Sequence, residues 1–256
     1  MRNYFNSFFN FFEFDERPST DFGVMVFGSG AYSDPESNET EVKIPGMNGV
    51  LHFWDGSYGE VTVSYSVMVK GTDAIQVREK VERMRAWLLS KRKYCRLQDT
   101  FHPDYYRMGI YKGNSDVEYS QNLQMGKLEI RFKCKPQKFL IDGDLPIRFE
   151  ANGRIYNPTD FTASPLIHLY GTANVGAAFN ISANQQINLT FPDSGQMIID
   201  TELGEVYDTD GTNLNNKVSF SATNTAQDFP KIASGDSAVL MWNMMAVEIT
   251  PRWWTL

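Results

Sequence analysis

The stretch 61-VTVSYSVMVKGTDAIQVREKVERMRAWLLSKRK-93 changes its period in the middle. Before Gly71, apolar residues fall on every second position: Val61, Val63, Tyr65, Val67 and Val69. That is the pattern of a strand buried on one face. After Gly71 the apolar positions are Val77, Val81, Met84 and Leu88, steps that draw one stripe along a helix. Asp73 stands as N-cap with Gln76 three residues on, a capping-box-like pair, so a helix is expected over about 73–92. Its other face carries Arg78, Lys80, Arg83 and Arg85, and Lys91, Arg92 and Lys93 follow where cations suit the helix dipole. A long half-buried strand running into a single amphipathic helix predicts a sheet with one helix packed on it.

Reading outward, 126-GKLEIRFKCK-135 repeats the alternation, and FGVMVF (22–27) and VLHFW (50–54) are shorter strand candidates. Pro45-Gly46, Asn48-Gly49, Asp55-Gly56 and Gly113-Asn114 punctuate them as turn signals. Cys134 is in phase with Leu128, Ile130 and Phe132, so a buried free thiol is expected there. With Cys95 it makes only two cysteines, which is no disulfide framework. A boundary falls in 135-KPQKFLIDGDLPIRFEANG-153, giving domains 1–140 and 141–256. Beyond it, SPLIHLYG, QQINLTF, QMIIDTE, VYDTDGTN, KVSFSA and AVLMWNMMAVEIT are short strand-like runs split by Asn, Asp, Gly and Pro, with no convincing helix. They predict an antiparallel sandwich. The fold class expected from these runs is mainly β, with a β-sandwich over 141–256.

Charge divides the chain at the same place. Residues 1–140 carry 19 Lys/Arg against 18 Asp/Glu, while 141–256 carry 5 against 13, a net of −8. Such a step supports two domains and argues against a phosphate-backbone partner for the second. The composition, 42% hydrophobic and 21% charged, is that of a folded chain. No apolar run has the length of a membrane span. The aromatic start, MRNYFNSFFNFFEFDER, lacks the uniform apolar segment and small-residue cleavage site of a signal peptide, so folding in a cytoplasm is expected.

Little in the sequence points to catalysis. His52, His102 and His168 are isolated, with no metal-ligand spacing, and no Gly-x-Ser-x-Gly elbow, Walker or Rossmann glycine pattern occurs. Neither a metal nor a cofactor is implied. YDTDGTN (207–213) is too short for a calcium loop and is read as a hairpin turn at Asp210-Gly211. Asp200 and Glu202 could be offered as paired glycosidase acids, yet carboxylate pairs are common on acidic surfaces. The basic helix face lacks interleaved aromatics and lies in a nearly neutral domain, which favours a solvated or partner-facing surface over nucleic acid.

The aromatic ends raise a different question. Trp253 and Trp254 are adjacent, and strand alternation sends adjacent side chains to opposite faces. One enters a core; the other must be covered by a loop, a domain or a subunit. Trp242 could be core or a sugar platform. Candidate subunit-interface residues are Phe8, Phe9, Phe11 and Phe12 in the amino-terminal segment, Arg78 and Arg85 on the helix, and Trp253 and Trp254. The long, polar and acidic loop YSDPESNETEVK (32–43), an extended arm between two alternating strands, is a further place for partner contacts.

IPGMNGVLHFWDGSYGEVTVSYSVMVKG (44–71) and the helix after it resemble the first domain of the distal tail proteins of long-tailed phages and prophages. IYNPTDFTASPLIHLYGT (155–172), IIDTELGEVYDTDGTNLN (198–215), FPKIASGD (229–236) and VEITPRWWTL (247–256) resemble that family's second domain, in the same order. The resemblance implies a tail-tube-like β-sandwich carrying one helix, then a galectin-like β-sandwich. It implies a non-enzymatic structural protein at the tip of a non-contractile tail, made in the cytoplasm of a bacterial host. In that family a homo-hexameric ring joins the tail tube protein to the tail-associated hub protein. The ring carries receptor-binding or fibre proteins, and DNA passes through its lumen only as cargo. Longer relatives insert a carbohydrate-binding module, and this chain resembles the uninserted kind. The alternative reading is a carbohydrate-binding module protein that contacts host cell-wall glycans.

Overall fold

The structure is a computed structural model that describes residues 10–28, 30–113, 115–120, 124–181, 186–220 and 229–256. The chain forms two compact units, residues 1–138 with Leu256, and residues 139–255.

The first unit is built from β1 (Phe12–Phe14), β2 (Arg17–Pro18), β3 (Val24–Val26), β4 (Ala31–Tyr32), β5 (Ser37–Val42), β6 (Leu51–Tyr58) and β7 (Val61–Lys70). Helix α1 (Ala74–Ser90) follows, then β8 (Cys95–Asp99), β9 (Tyr105–Tyr111), β10 (Val117–Tyr119) and β11 (Met125–Leu140), whose last two residues belong to the second unit. The main sheet runs β2-β1-β8-β9-β11-β7-β3, with β10 also on β11 and β4 on β7. At its centre β7 and β11 pair antiparallel from Met125↔Lys70 to Cys134↔Val61. Because paired residues share a face, the alternating sets Val61–Val69 and Leu128–Cys134 meet as one apolar surface. Cys134 is a buried free thiol on that surface, and burial pushes it up to about 12.

Helix α1 lays Val77, Val81, Met84 and Leu88 on this core, as their spacing predicts, and adds Trp87. Asp73 caps it, its Oδ1 accepting from Gln76 N at 2.9 Å, and Gln76 Oε1 accepts in return from Thr72 N at 2.9 Å. Aromatic rings fill much of the rest of the core, beside Val24, Val26, Cys95 and Leu97. Phe12 stacks on Tyr65 with centroids 5.2 Å apart and meets Phe132 edge-on at 5.4 Å, while Trp87 stacks on Phe22 at 4.4 Å.

The second unit contains β12 (Ile147–Phe149), β13 (Gly153–Asn157), β14 (Leu166–Tyr170), β15 (Gly176–Ile181), β16 (Gln186–Thr190), β17 (Gln196–Asp200) and β18 (Glu205–Tyr207). It ends with β19 (Val218–Phe220), β20 (Gly235–Trp242), β21 (Ala246–Thr250) and β22 (Trp254–Thr255). Two five-stranded antiparallel sheets, β12-β21-β14-β17-β18 and β13-β20-β15-β16-β19, enclose one core. Ile167, Leu169, Ile199 and Ile249 come from the first sheet, and Phe179, Ile187, Leu189 and Val239 from the second. The mainly β, sandwich-type architecture expected from the sequence is borne out.

Three local readings change. Segment 32–43, read as a loop, contains β5, which pairs with β6. Asp55-Gly56 does not end a strand. It forms a bulge inside β6, with Asp55 Oδ1 accepting from Ser57 N and the Trp54 indole donating to Ser57 O. Phe12 lies in the core rather than at an assembly surface, because the F-E-F alternation of residues 12–14 turns Phe12 and Phe14 inward with no exposed surface. Phe12→Ala should therefore lower the stability of the first unit by about 3–5 kcal/mol, measured by denaturant unfolding. Loss of assembly with unchanged stability would contradict its place in the core.

Candidate assembly surfaces

Among the described residues β5 and β6 pair only with each other, and nearly every residue of the hairpin is exposed. Its register, Val42↔Leu51, Glu41↔His52, Thr40↔Phe53 and Glu39↔Trp54, sorts the side chains onto two faces. One face carries Val42, Thr40, Leu51 and Phe53. The other carries Glu39, Glu41, His52 and Trp54, with His52 Nδ1 3.0 Å from Glu39 Oε2. The tip, 43–50, holds Gly46 and Gly49 at φ of 86° and 88°, a backbone that Pro45-Gly46 and Asn48-Gly49 supply without strain. Met47 is 62% exposed there, and Phe53 and Trp54 remain 55% and 54% exposed. A two-stranded ribbon with no layer behind it is at best marginally stable, and burying each such side chain is worth about 1.5–3 kcal/mol. The ribbon is thus an arm whose apolar face has no described residue of another element packed against it.

The other expected contact residues are dispersed. Phe8 and Phe9 lie outside the described residues. Phe11 is buried at 9% exposure and Phe12 completely, so neither ring offers free surface. On α1, Arg85 turns back into its own unit, its Nε donating to Ser115 Oγ at 3.4 Å and its Nη2 to Ser115 O. Arg78 is exposed.

At the carboxyl end Trp253 enters the second core with 5% exposure, and Trp254 points the other way. Trp254 stacks on Phe161 with centroids 4.4 Å apart, and its indole N–H donates to Thr162 O at 3.0 Å. A loop of the same unit covers this indole, so no neighbouring subunit is needed for it. Arg252, between these tryptophans and Pro251, has φ 56° and donates two bonds to Asp200, Nη1 to Oδ1 at 2.8 Å and Nη2 to Oδ2 at 2.9 Å. Gly143 packs against this segment so closely that a Cβ there would sit 2.5 Å from Trp253 N.

This geometry removes the paired-acid reading. Asp200 Oδ1 also accepts from the Glu202 and Leu203 backbone N–H groups, so both carboxylate oxygens are held in structural bonds. Burial acts to raise its pKa, but the Arg252 guanidinium and the two backbone donors outweigh this and hold the carboxyl below its usual range. The histidines have structural partners too. His168 bonds Gln196 Oε1 at 3.1 Å and Tyr170 OH at 3.1 Å, and His102 lies 3.7 Å from Asp99. No group of metal-ligating side chains occurs among the described residues, and no helix among them is long and apolar enough to cross a membrane. Asp210-Gly211 is a turn, with Gly211 N–H donating to Asp208 O at 2.9 Å and Tyr207 bridged to Asn213.

Residues 24–134 match the phage tail protein RIFT-related domain. No curated protein matches the chain. Among solved structures it is similar to the SPP1 Dit (gp 19.1) protein, described as a paradigm of the hub adsorption apparatus in phages that infect Gram-positive bacteria. That similarity has a TM-score of 0.71 at 12% identity over 96% of this chain and 99% of that one. The phage P2 baseplate in its activated conformation with calcium gives a TM-score of 0.54 at 11% identity, over 94% of this chain and 96% of that one. The strontium form of that baseplate gives 0.51 at 12%, over 94% and 97%. At such identities the structural likeness establishes the fold. Together with the tail domain it bears out the resemblance to distal tail proteins found in the sequence.

The Asp200–Arg252 pair makes its own prediction. Arg252→Ala leaves a buried carboxylate unpaired and should destabilise the second unit by about 3–5 kcal/mol near neutral pH. In the unaltered protein a depressed carboxyl contributes stability above its unfolded value, about 3.9, and loses it as pH falls through the lower folded value. The deficit of Arg252→Ala should therefore shrink below about pH 4. Calorimetry across pH checks this, and a pH-independent deficit would contradict it.

Proposed function

We propose that this protein is a structural subunit of a phage tail tip, a distal tail protein that assembles into a homo-hexameric ring. The ring joins the tail tube to the tail-associated hub protein, anchors host-recognition components on its rim and leaves a lumen through which DNA passes. The tail domain and the Dit-like fold over nearly the whole chain support the placement in a tail. They also rank assembly above the reading as a carbohydrate-binding module protein.

The observation that carries the ring is the β5–β6 arm. A closed ring requires heterologous contacts, in which each subunit offers one surface and receives another. An exposed ribbon with an apolar face made of Val42, Leu51 and Phe53 is suited to being the offered surface. Arg78, exposed on α1, is a candidate for the receiving side or for contact with another tail component. Binding of the arm to the next subunit supplies the layer that the ribbon lacks.

Electron microscopy of the purified protein tests the proposal. Annular particles with six-fold symmetry are expected. Leu51→Asp combined with Phe53→Asp should abolish them and leave monomers whose thermal unfolding is unchanged, since both side chains are outside the core. A strictly monodisperse monomer at high concentration would overturn the ring, and rings that survive the double substitution would overturn the role of the arm.

A further inference from the structure

Of the three tryptophans in the second unit, Trp253 is in the core and Trp254 is covered by Phe161, but Trp242 remains 43% exposed. It ends β20 on the outer face of the sheet β13-β20-β15-β16-β19. Cross-strand pairing places a defined set of side chains beside it. Trp242 is opposite Ala178 on β15, and Ala178 is opposite Asn188 on β16. In the next row Leu240 is opposite Asn180, and Asn180 is opposite Gln186. Their neighbours in sequence, Phe179, Ile181, Ile187 and Leu189, are core residues, so these positions face outward.

The row Trp242–Ala178–Asn188 therefore has an aromatic wall, a floor of one methyl group and an amide wall. Two strand spacings separate the walls, about 10 Å. The adjoining Gln186 donates its Nε2 to Asn188 Oδ1 at 2.8 Å, which orients the Asn188 amide N–H groups for another acceptor. Asn180, in the middle of the second row, is itself buried at 7% exposure, so the part of this face that a ligand can reach is the row of exposed Trp242 and Asn188.

We infer that this face binds a neutral pyranose sugar. The C–H face of such a ring packs on an exposed indole, while its vicinal hydroxyls each donate and accept, which is what side-chain amides require. Charge selects a neutral sugar over a phosphorylated or uronic one. Residues 141–256 carry a net −8, and Arg154 on this same face is already paired with Asp236 at 2.7 Å. This goes beyond the assembly role and stands or falls separately from it.

Calorimetric titration of the full chain with neutral tetrasaccharides, namely cellotetraose, maltotetraose and chitotetraose, tests the site. At least one should bind with millimolar or tighter affinity. Trp242→Ala and Asn188→Ala should each weaken it by about tenfold or more, while Trp54→Ala, in the first unit, should leave it unchanged. Thermal melts verify that the variants fold, and particle images read ring formation independently. Absence of binding to all three sugars, binding that persists in Trp242→Ala, or a requirement for an anionic glycan would each overturn the assignment.

Discussion

The antiparallel union of β7 and β11 is the constraint from which the first unit follows. Ten consecutive pairs fix which residues share a face, and a slip of one residue would turn every Val of β7 outward. With that register, the apolar face, Tyr65 and Phe132 included, is continuous, and α1 and Phe12 pack on it. The same sheet fixes a polar network at its edge. Asp99, at the end of β8, accepts from Tyr65 OH at 2.6 Å, Tyr32 OH at 2.8 Å and the backbone of Phe101 and His102. Burial, and the negative charge of Asp99 beside them, push both tyrosines up, so they stay protonated donors. Tyr32 is the last residue of β4, so this network holds the chain just before it leaves for the arm.

The arm obeys the opposite logic. Where the β7–β11 face is closed by its own chain, the β5–β6 ribbon has two faces and no core, and its side chains are sorted but not buried. Sorting without burial is costly in isolation and consistent with a surface completed by association. The opposite face of the ribbon is acidic, with Glu39 and Glu41 around His52, and favours the approach of basic over acidic surfaces.

How much was legible in the sequence follows from what makes a pattern visible. Strand β7, helix α1 and strand β11 were readable because burial of one face forces periodicity, and their buried positions are those the spacing marks. The arm was half readable. VLHFW reads as a strand, but its partner reads as a loop because SNETEV buries nothing on either side. The signal available was the alternation Glu39-Thr40-Glu41-Val42. Phe11 and Phe12 read as surface because the run of aromatics hides its phase; the F-E-F of 12–14 is the cue. The partners of Trp254 and Arg252 could not be read at all, since Phe161 and Asp200 lie far away in sequence and only the fold brings them close.

That last case shows why two adjacent tryptophans near a chain end need not signal a partner. Alternation demands that one indole leave the core, and the structure answers with a local arrangement. Arg252 in the left-handed region swings the strand so that its guanidinium reaches the buried Asp200 while Trp253 drops into the core. Such a backbone costs energy in a non-glycine residue and persists only where its surroundings hold it. Here the bidentate ion pair, the Arg252 N–H bond to Gly143 O at 2.8 Å and the close approach of Gly143 itself all hold it. Exposed apolar surface therefore carries information about assembly only after the chain's own means of covering it have been counted. By that measure the aromatic terminus is accounted for within its unit, and the arm is not.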